Sequence, residues 1–255
     1  MFSKSPFIEG GLFTRSNYRL KLLFSDLAST GIKLYNWPHI NELLSPHLYD
    51  STKNKNQLIL NDKGLSVMNF IILNHLGKHC GFTRRHSESV SRVSKEISKS
   101  YGFDQVMQTK IGIAGSIHDV GKLFIPNALL EKKEILLPEE YLHIKDHSFY
   151  TYVILRLIPG LGDITQWAAN HHERLDGSGY PFGLYAEDLD IPSRIISVAD
   201  VFSALIETRP YKKGYTCNDV LSILQHEVLC FHLDKDIIDI VSENVLVLKS
   251  LVRVY

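Results

Sequence analysis

Apolar residues recur at turn spacing along most of the chain, and strict alternation is scarce. From about Leu65 the pattern is helical, with Val67, Phe70, Ile71 and Asn74 one or two turns apart. A second helix is predicted over 85–101, with Val90, Val93 and Ile97 on one face and Gly102 as its stop. A third runs over about 103–119 and ends before Val120-Gly121 and Pro126. Leu137-Pro138-Glu139-Glu140 reads as a helix start, with proline in the first turn and acids at the positive end of the macrodipole. That helix continues to about Leu157. Another covers 163–172 and runs into the glycine-rich loop 176–183. Ile191-Pro192 opens a helix to Ile206 whose buried stripe is Ile195, Val198, Ala199 and Phe202. Helices over 218–229 and 235–245 follow, and the terminal VLVLKSLVRVY is the one strand-like run. The fold class is all-α, a helical bundle with a small amino-terminal helical segment.

The first 60 or so residues, with Gly10-Gly11, Trp37-Pro38, Ser45-Pro46 and the polar run 51–57, read as short helices with loops. They carry no recognisable chemistry. We divide the chain into an amino-terminal segment, 1–64, and a main domain, 65–255. The segment is compatible with docking on the bundle, with regulation through a signalling-protein partner, or with a homodimer contact.

Composition narrows the classes. Of 255 residues, 44% are hydrophobic and 22% charged, a globular balance. Zero formal net charge argues against duplex nucleic acid, so an anionic ligand must be held by a local cluster. Cys80, Cys217 and Cys230 form no CxxC pair, which favours a reducing compartment over a disulfide framework. No signal-peptide core or membrane-length apolar run is evident, so a cytoplasmic protein without a membrane partner is expected.

Histidine is the unusual residue: twelve occur, several beside acids. His86, His118-Asp119, His147, His171-His172 and Asp200 form five islands of imidazole and carboxylate. That donor mixture suits Mn, Fe or Zn better than Ca or Mg. Seven donors exceed one tetrahedral site and fit two adjacent ions, with Asp119 as the shared ligand because a carboxylate can bridge. Two ions can hold a hydroxide at neutral pH and clamp a phosphodiester. Taken singly, each island is compatible with packing or with a helix terminus.

The text around them is specific. HDVGKLFIP at 118–126, HHERLDGSGYPFGL at 171–184 and IPSRIISVADVFSALIETRPYK at 191–212 resemble the HD-GYP family of HD-superfamily phosphohydrolases, over roughly 81–229. The resemblance implies an HD-domain helical bundle and metal-dependent hydrolysis of cyclic di-GMP to linear pGpG, with a further cut to GMP left open. Phosphodiesterase action on 3′,3′-cyclic GMP-AMP or another nucleotide, and a catalytically inactive dinucleotide-binding adaptor, are the alternatives. It implies two divalent ions, iron or manganese: one held by His86, His118, Asp119 and Asp200, the other by Asp119, His147, His171 and His172. It makes Asp119 and Lys122 catalytic, with Lys122 reaching phosphate. Tyr180, Arg209 and Lys212 become contacts to substrate.

Two departures stand out. Family members with a third metal carry Glu four residues before the first His, where this chain has Phe82, so two ions are expected. The family's HPxxG is HSFYT here, placing Ser148 and Thr151 in what we read as a helix start. His75 and His79, four apart, precede the matched motifs and are assigned to packing or surface. His143, His226 and His232 receive no role.

Overall fold

The computed structural model describes residues 12–30, 62–208 and 213–253. Among these, ten α-helices and no strand occur. In chain order they are α1 (Leu12–Ser29), α2 (Asp62–His79), α3 (Gly81–Tyr101), α4 (Gln105–Ile117), α5 (Asn127–Leu130), α6 (Pro138–Leu155), α7 (Asp163–Ala169), α8 (Ile191–Ile206), α9 (Cys217–Leu229) and α10 (Lys235–Leu251). Short 3-10 turns lie at Val120–Phe124 and Ala186–Asp188.

Helix α3 is the axis of the bundle and packs against α2, α4, α8 and α10. Its buried stripe, Val90, Val93 and Ile97, is lined with the small residues Ser87, Ser94 and Ser98. Opposite them, a Cβ on Gly115 of α4 would stand 2.7 Å from the Ser94 hydroxyl and 3.3 Å from the Val90 carbonyl. Small residues on both helices therefore let the backbones approach closely. That matters because α4 delivers His118 and α3 delivers His86.

Local chemistry fixes the ends. Gly102 takes φ 101°, and the amides of Gly102 and Phe103 return to the carbonyls of Lys99 and Ser98, a left-handed stop. Asp104, Asp190, Thr216 and Asp234 cap α4, α8, α9 and α10 by accepting amides of the first turn. At α6 the Glu140 carboxylate accepts the Leu137 amide at 2.8 Å.

Three expectations need correction. The strand-like terminal run is helical from Val245 to Leu251, the last turns of α10, and Val254 and Tyr255 lie outside the described residues. Ile237, Ile238, Val241 and Leu248 are buried while Leu246 and Val247 are exposed, so the apolar positions follow the helical period. Helix α7 stops at Ala169, so His171 and His172 lie beyond its end. Among the described residues of the amino-terminal region α1 is 18 residues long, longer than the short helices expected; 1–11 and 31–61 lie outside the described residues. Leu23, Phe24 and Leu27 of α1 enter the same core as residues of α2–α4 and α6–α10. No helix among the described residues is long and apolar enough to cross a membrane.

Candidate metal centre

Five segments converge on one buried locus. His86 comes from the first half of α3, and His118 caps α4 with Asp119 beginning the following 3-10 turn. His147 lies midway along α6, His171-His172 just past α7, and Asp200 on α8. All are buried except His172, which is partly exposed. The Asp119 carboxylate divides its oxygens: Oδ1 is 3.3 Å from His147 Nε2, and Oδ2 is 3.4 Å from His118 Nε2. Asp200 Oδ1 lies 2.8 Å from His86 Nε2 and 3.9 Å from His118 Nε2, with Oδ2 3.7 Å from His172 Nδ1. Among the described residues, three triads have donor atoms mutually within 4.8 Å: His86–His118–Asp119, His118–His171–Asp200 and His147–His171–His172. His171 thus stands between the two donor sets.

The proton positions say what these atoms face. His118, His147 and His171 each place Nδ1 at 2.5–2.7 Å from the carbonyl three residues back, of Gly115, Ile144 and Ala168. A carbonyl only accepts, so each Nδ1 carries a proton and each ring turns its Nε2 inward, where a neutral ring presents a lone pair. Yet His147 Nε2 and His171 Nε2 face each other at 3.1 Å, and Asp119 Oδ1 is buried with no donor. Lone pairs and carboxylate oxygens pointed at one another repel unless a cation lies among them. The donor set therefore fits divalent ions.

Electrostatics agree. Burial, with Lys122 and His172 nearby, pushes His147 down to about 3, against the attraction of Asp119. Burial lowers His172 to about 4 and drives His171 far below the ordinary histidine value, keeping both neutral and ready as ligands. Burial also opposes ionisation of Asp119, but the Lys122 ammonium and neighbouring imidazoles hold its carboxyl well below the usual range. His86 is different. Burial works against its charge, but hydrogen bonds to Asp200 and Glu207 raise it to about 9.

Beside the cluster, Lys122 Nζ donates to Asp119 Oδ2 at 2.6 Å. The Tyr180 ring sits 4.8 Å from His172, between that imidazole and Lys145, whose Nζ is 4.5 Å from the ring centroid. Arg209 and Lys212 lie outside the described residues. The loop carrying Tyr180 is organised by Glu173, whose buried carboxylate accepts the amides of Phe182, Gly183 and Leu184 at 2.6, 3.2 and 3.0 Å. Gly179 is needed there, because a Cβ would stand 2.4 Å from the Arg174 amide nitrogen.

Ser148 and Thr151 do not belong to a helix start; they lie well inside α6. Thr151 Oγ1 accepts the Gly121 amide at 3.0 Å and donates to the His118 carbonyl at 2.7 Å, pinning the turn that carries Asp119. His75 and His79 are buried packing residues, as expected. His75 Nε2 meets Asp26 of α1 at 2.8 Å. His79 Nε2 donates to the carbonyls of Lys122 and Ile125 at 2.9 and 3.0 Å, bracing the same turn from behind. Sequence reasoning missed Glu173, Glu207 and Lys145 as neighbours of the centre. Only Glu173 carried a signal, as an acid between paired histidines and a glycine-rich loop.

Comparisons with known proteins point one way. A family model described as "HD domain" matches residues 71–237. The "3'3'-cGAMP-specific phosphodiesterase 1" of Vibrio cholerae is 42% identical over 163 residues, covering 64% of this chain and 38% of that protein. The "Cyclic di-GMP phosphodiesterase" of Thermotoga maritima is 41% identical over 144 residues, covering 55% of this chain and 39% of its own. The chain therefore spans about two fifths of the length of these curated relatives. The solved structure of Bd1817 from Bdellovibrio bacteriovorus, described as an HDG"Y"P protein, aligns with TM-score 0.54 at 14% identity, over 94% of this chain and 74% of that one. At that identity the likeness speaks for the fold alone.

Proposed function

The chain belongs to the HD domain family, and from that premise we propose that it is a metal-dependent phosphodiesterase cutting cyclic di-GMP to linear pGpG. One observation carries this reading. Imidazole lone pairs and carboxylate oxygens with no protons to share converge around Asp119, beside a cation, Lys122, and an aromatic ring, Tyr180.

In this reading His86, His118, Asp119 and Asp200 hold one ion, and Asp119, His147, His171 and His172 the other, iron or manganese in each place. Two bound ions would supply Lewis acidity and a water-derived nucleophile near neutral pH. The residues do the rest. Asp119 spans the two donor sets and keeps the Lys122 ammonium at the edge of the cluster, where it meets developing negative charge on phosphate. Tyr180, backed by His172, stacks with a purine that takes the place of the Lys145 ammonium over its ring. Glu173 holds that face by fixing three amides of its loop. Arg209 and Lys212 complete the anion contacts in this proposal, and 65–255 form the catalytic unit.

The test is direct. Metal-stripped chain reloaded with Mn²⁺ or Fe²⁺ without oxygen is incubated with cyclic di-GMP, and products are resolved over time. Accumulation of pGpG ahead of GMP, abolished by a chelator, is expected. Binding without turnover would favour the adaptor instead. The Vibrio cholerae relative supports a second reading, 3′,3′-cyclic GMP-AMP as the preferred substrate, so both dinucleotides are run in parallel. A further expectation concerns the loop. Glu173→Ala should raise KM about tenfold, equivalent to ~1.4 kcal/mol of binding, and leave metal content unchanged. Metal loss in that variant would place Glu173 in the cluster rather than under the loop.

A further inference from the structure

We propose that Glu207 is the positioning residue for His86: a carboxylate outside the metal cluster that fixes this imidazole's orientation and strengthens it as a ligand. The inference rests on the metal-binding part of the function proposed above and not on the choice of substrate.

The four fully buried histidines of the centre solve the same problem in two ways. His118, His147 and His171 tie Nδ1 to a neutral carbonyl of their own segment, three residues back. His86 does not. Its Nδ1 reaches 3.0 Å to Glu207 Oε2, a residue 121 positions away just past the end of α8. Glu207 is 4% exposed, so a full carboxylate has been placed in the interior. Its other oxygen, Oε1, is buried with no hydrogen-bond donor. Burying such a group is costly unless it is paired, and the His86 imidazole is the partner that Oε2 has.

The contact does two things. An N–H donated to an anion leaves more electron density on the opposite ring nitrogen than one donated to an amide carbonyl, so His86 Nε2 becomes the more basic ligand. It also sets the ring's rotation, turning Nε2 toward Asp200 at 2.8 Å. The ring face is closed by Phe82, stacked at 6.1 Å between centroids and 8° between planes. Phe82 occupies the position where the resemblance would allow a third-metal carboxylate. The negative charge on the Nδ1 side of His86 therefore comes from the end of α8 and acts through the imidazole, opposite Asp200 on the Nε2 side.

The experiment uses the full chain and Mn²⁺ as the probe. Metal-stripped wild type, Glu207→Gln, Glu207→Leu and His86→Ala are titrated calorimetrically, with helical content followed by circular dichroism. Glu207→Gln keeps size and hydrogen-bonding capacity and removes only the charge. It is expected to weaken one of two Mn²⁺ sites by about 10- to 100-fold, the usual cost of losing an outer carboxylate. The second site should be unchanged, and Glu207→Leu should be weaker still. His86→Ala should remove the site that Glu207→Gln weakens. If Glu207→Gln binds both ions with wild-type affinity, Glu207 is only packing and the proposal is overturned. Equal weakening of both sites also overturns it, since the effect would then not pass through His86. A wild type that takes up no Mn²⁺ or Fe²⁺ removes the metal-centre reading itself, a failure distinct from either.

Discussion

Asp119→Ala is expected to lower kcat/KM by about 10³-fold or more, the scale of ~4 kcal/mol of transition-state stabilisation. Metal content should fall to one ion or none while the helical signal is kept. The residue's position makes the effect large. It is 1% exposed, each oxygen faces a different imidazole, and one of them also receives the Lys122 ammonium. Alanine removes the carboxylate that lies between His118 and His147 and takes away the Lys122 ammonium's partner. Helical content should survive, because Asp119 begins a 3-10 turn and makes no side-chain cap. Asp119→Asn sharpens the test. It preserves shape but presents an amide, whose N–H₂ can satisfy an imidazole lone pair and so compete with a metal. Turnover and metal content should drop together in both variants. Wild-type turnover in either would rule out the mechanism derived from this geometry.

The helices were legible because their signals are local. The stop at Gly102, the proline start of α6 and the Ile191-Pro192 start of α8 are decided by residues within a turn of each boundary. The apolar run at the carboxyl end misled because Val245, Leu246, Val247 and Leu248 look uniform in sequence; only the partner surface decides that Leu248 is buried and Leu246 is not. The residues grouped by the resemblance, His86, His118, Asp119, His147, His171, His172 and Asp200, are brought together in space. What surrounds them was not legible. Glu207 serves a residue 121 positions away, and no local pattern marks an acid whose partner lies on another helix. Thr151 reads in sequence as part of a helix start, because its role depends on which turn packs against α6. Tertiary contacts between distant segments carry that information, and a single sequence does not print them.

Gly121→Ala tests that packing where it is tightest. A Cβ at Gly121 would stand 1.9 Å from the His147 carbonyl oxygen and 2.6 Å from the Thr151 amide nitrogen. Both are backbone atoms of a regular helix, so no side chain can swing aside. Either the 3-10 turn or α6 must shift. Overpacking of this kind costs about 3 kcal/mol in a well-packed interior, and Tm should fall by about 6–12 °C for a domain of this size. Function should suffer beyond stability. The turn carries Asp119 and Lys122, and the helix carries His147, so their separation is what the new methyl group changes. A misplacement of about 1 Å at such a centre costs on the order of 10²-fold in rate. Turnover should therefore be poor even at 25 °C, where the variant remains folded. Thr151→Val is the comparison. It keeps the β-branch but deprives the Gly121 amide of its acceptor, at about 1–3 kcal/mol for a buried unpaired group, without forcing the backbones apart. Thermal unfolding with metal analysis at 25 °C separates the two: Gly121→Ala should lose ions while folded, and Thr151→Val should keep them. Wild-type Tm and metal content in Gly121→Ala would show that the turn and α6 are not in contact as described.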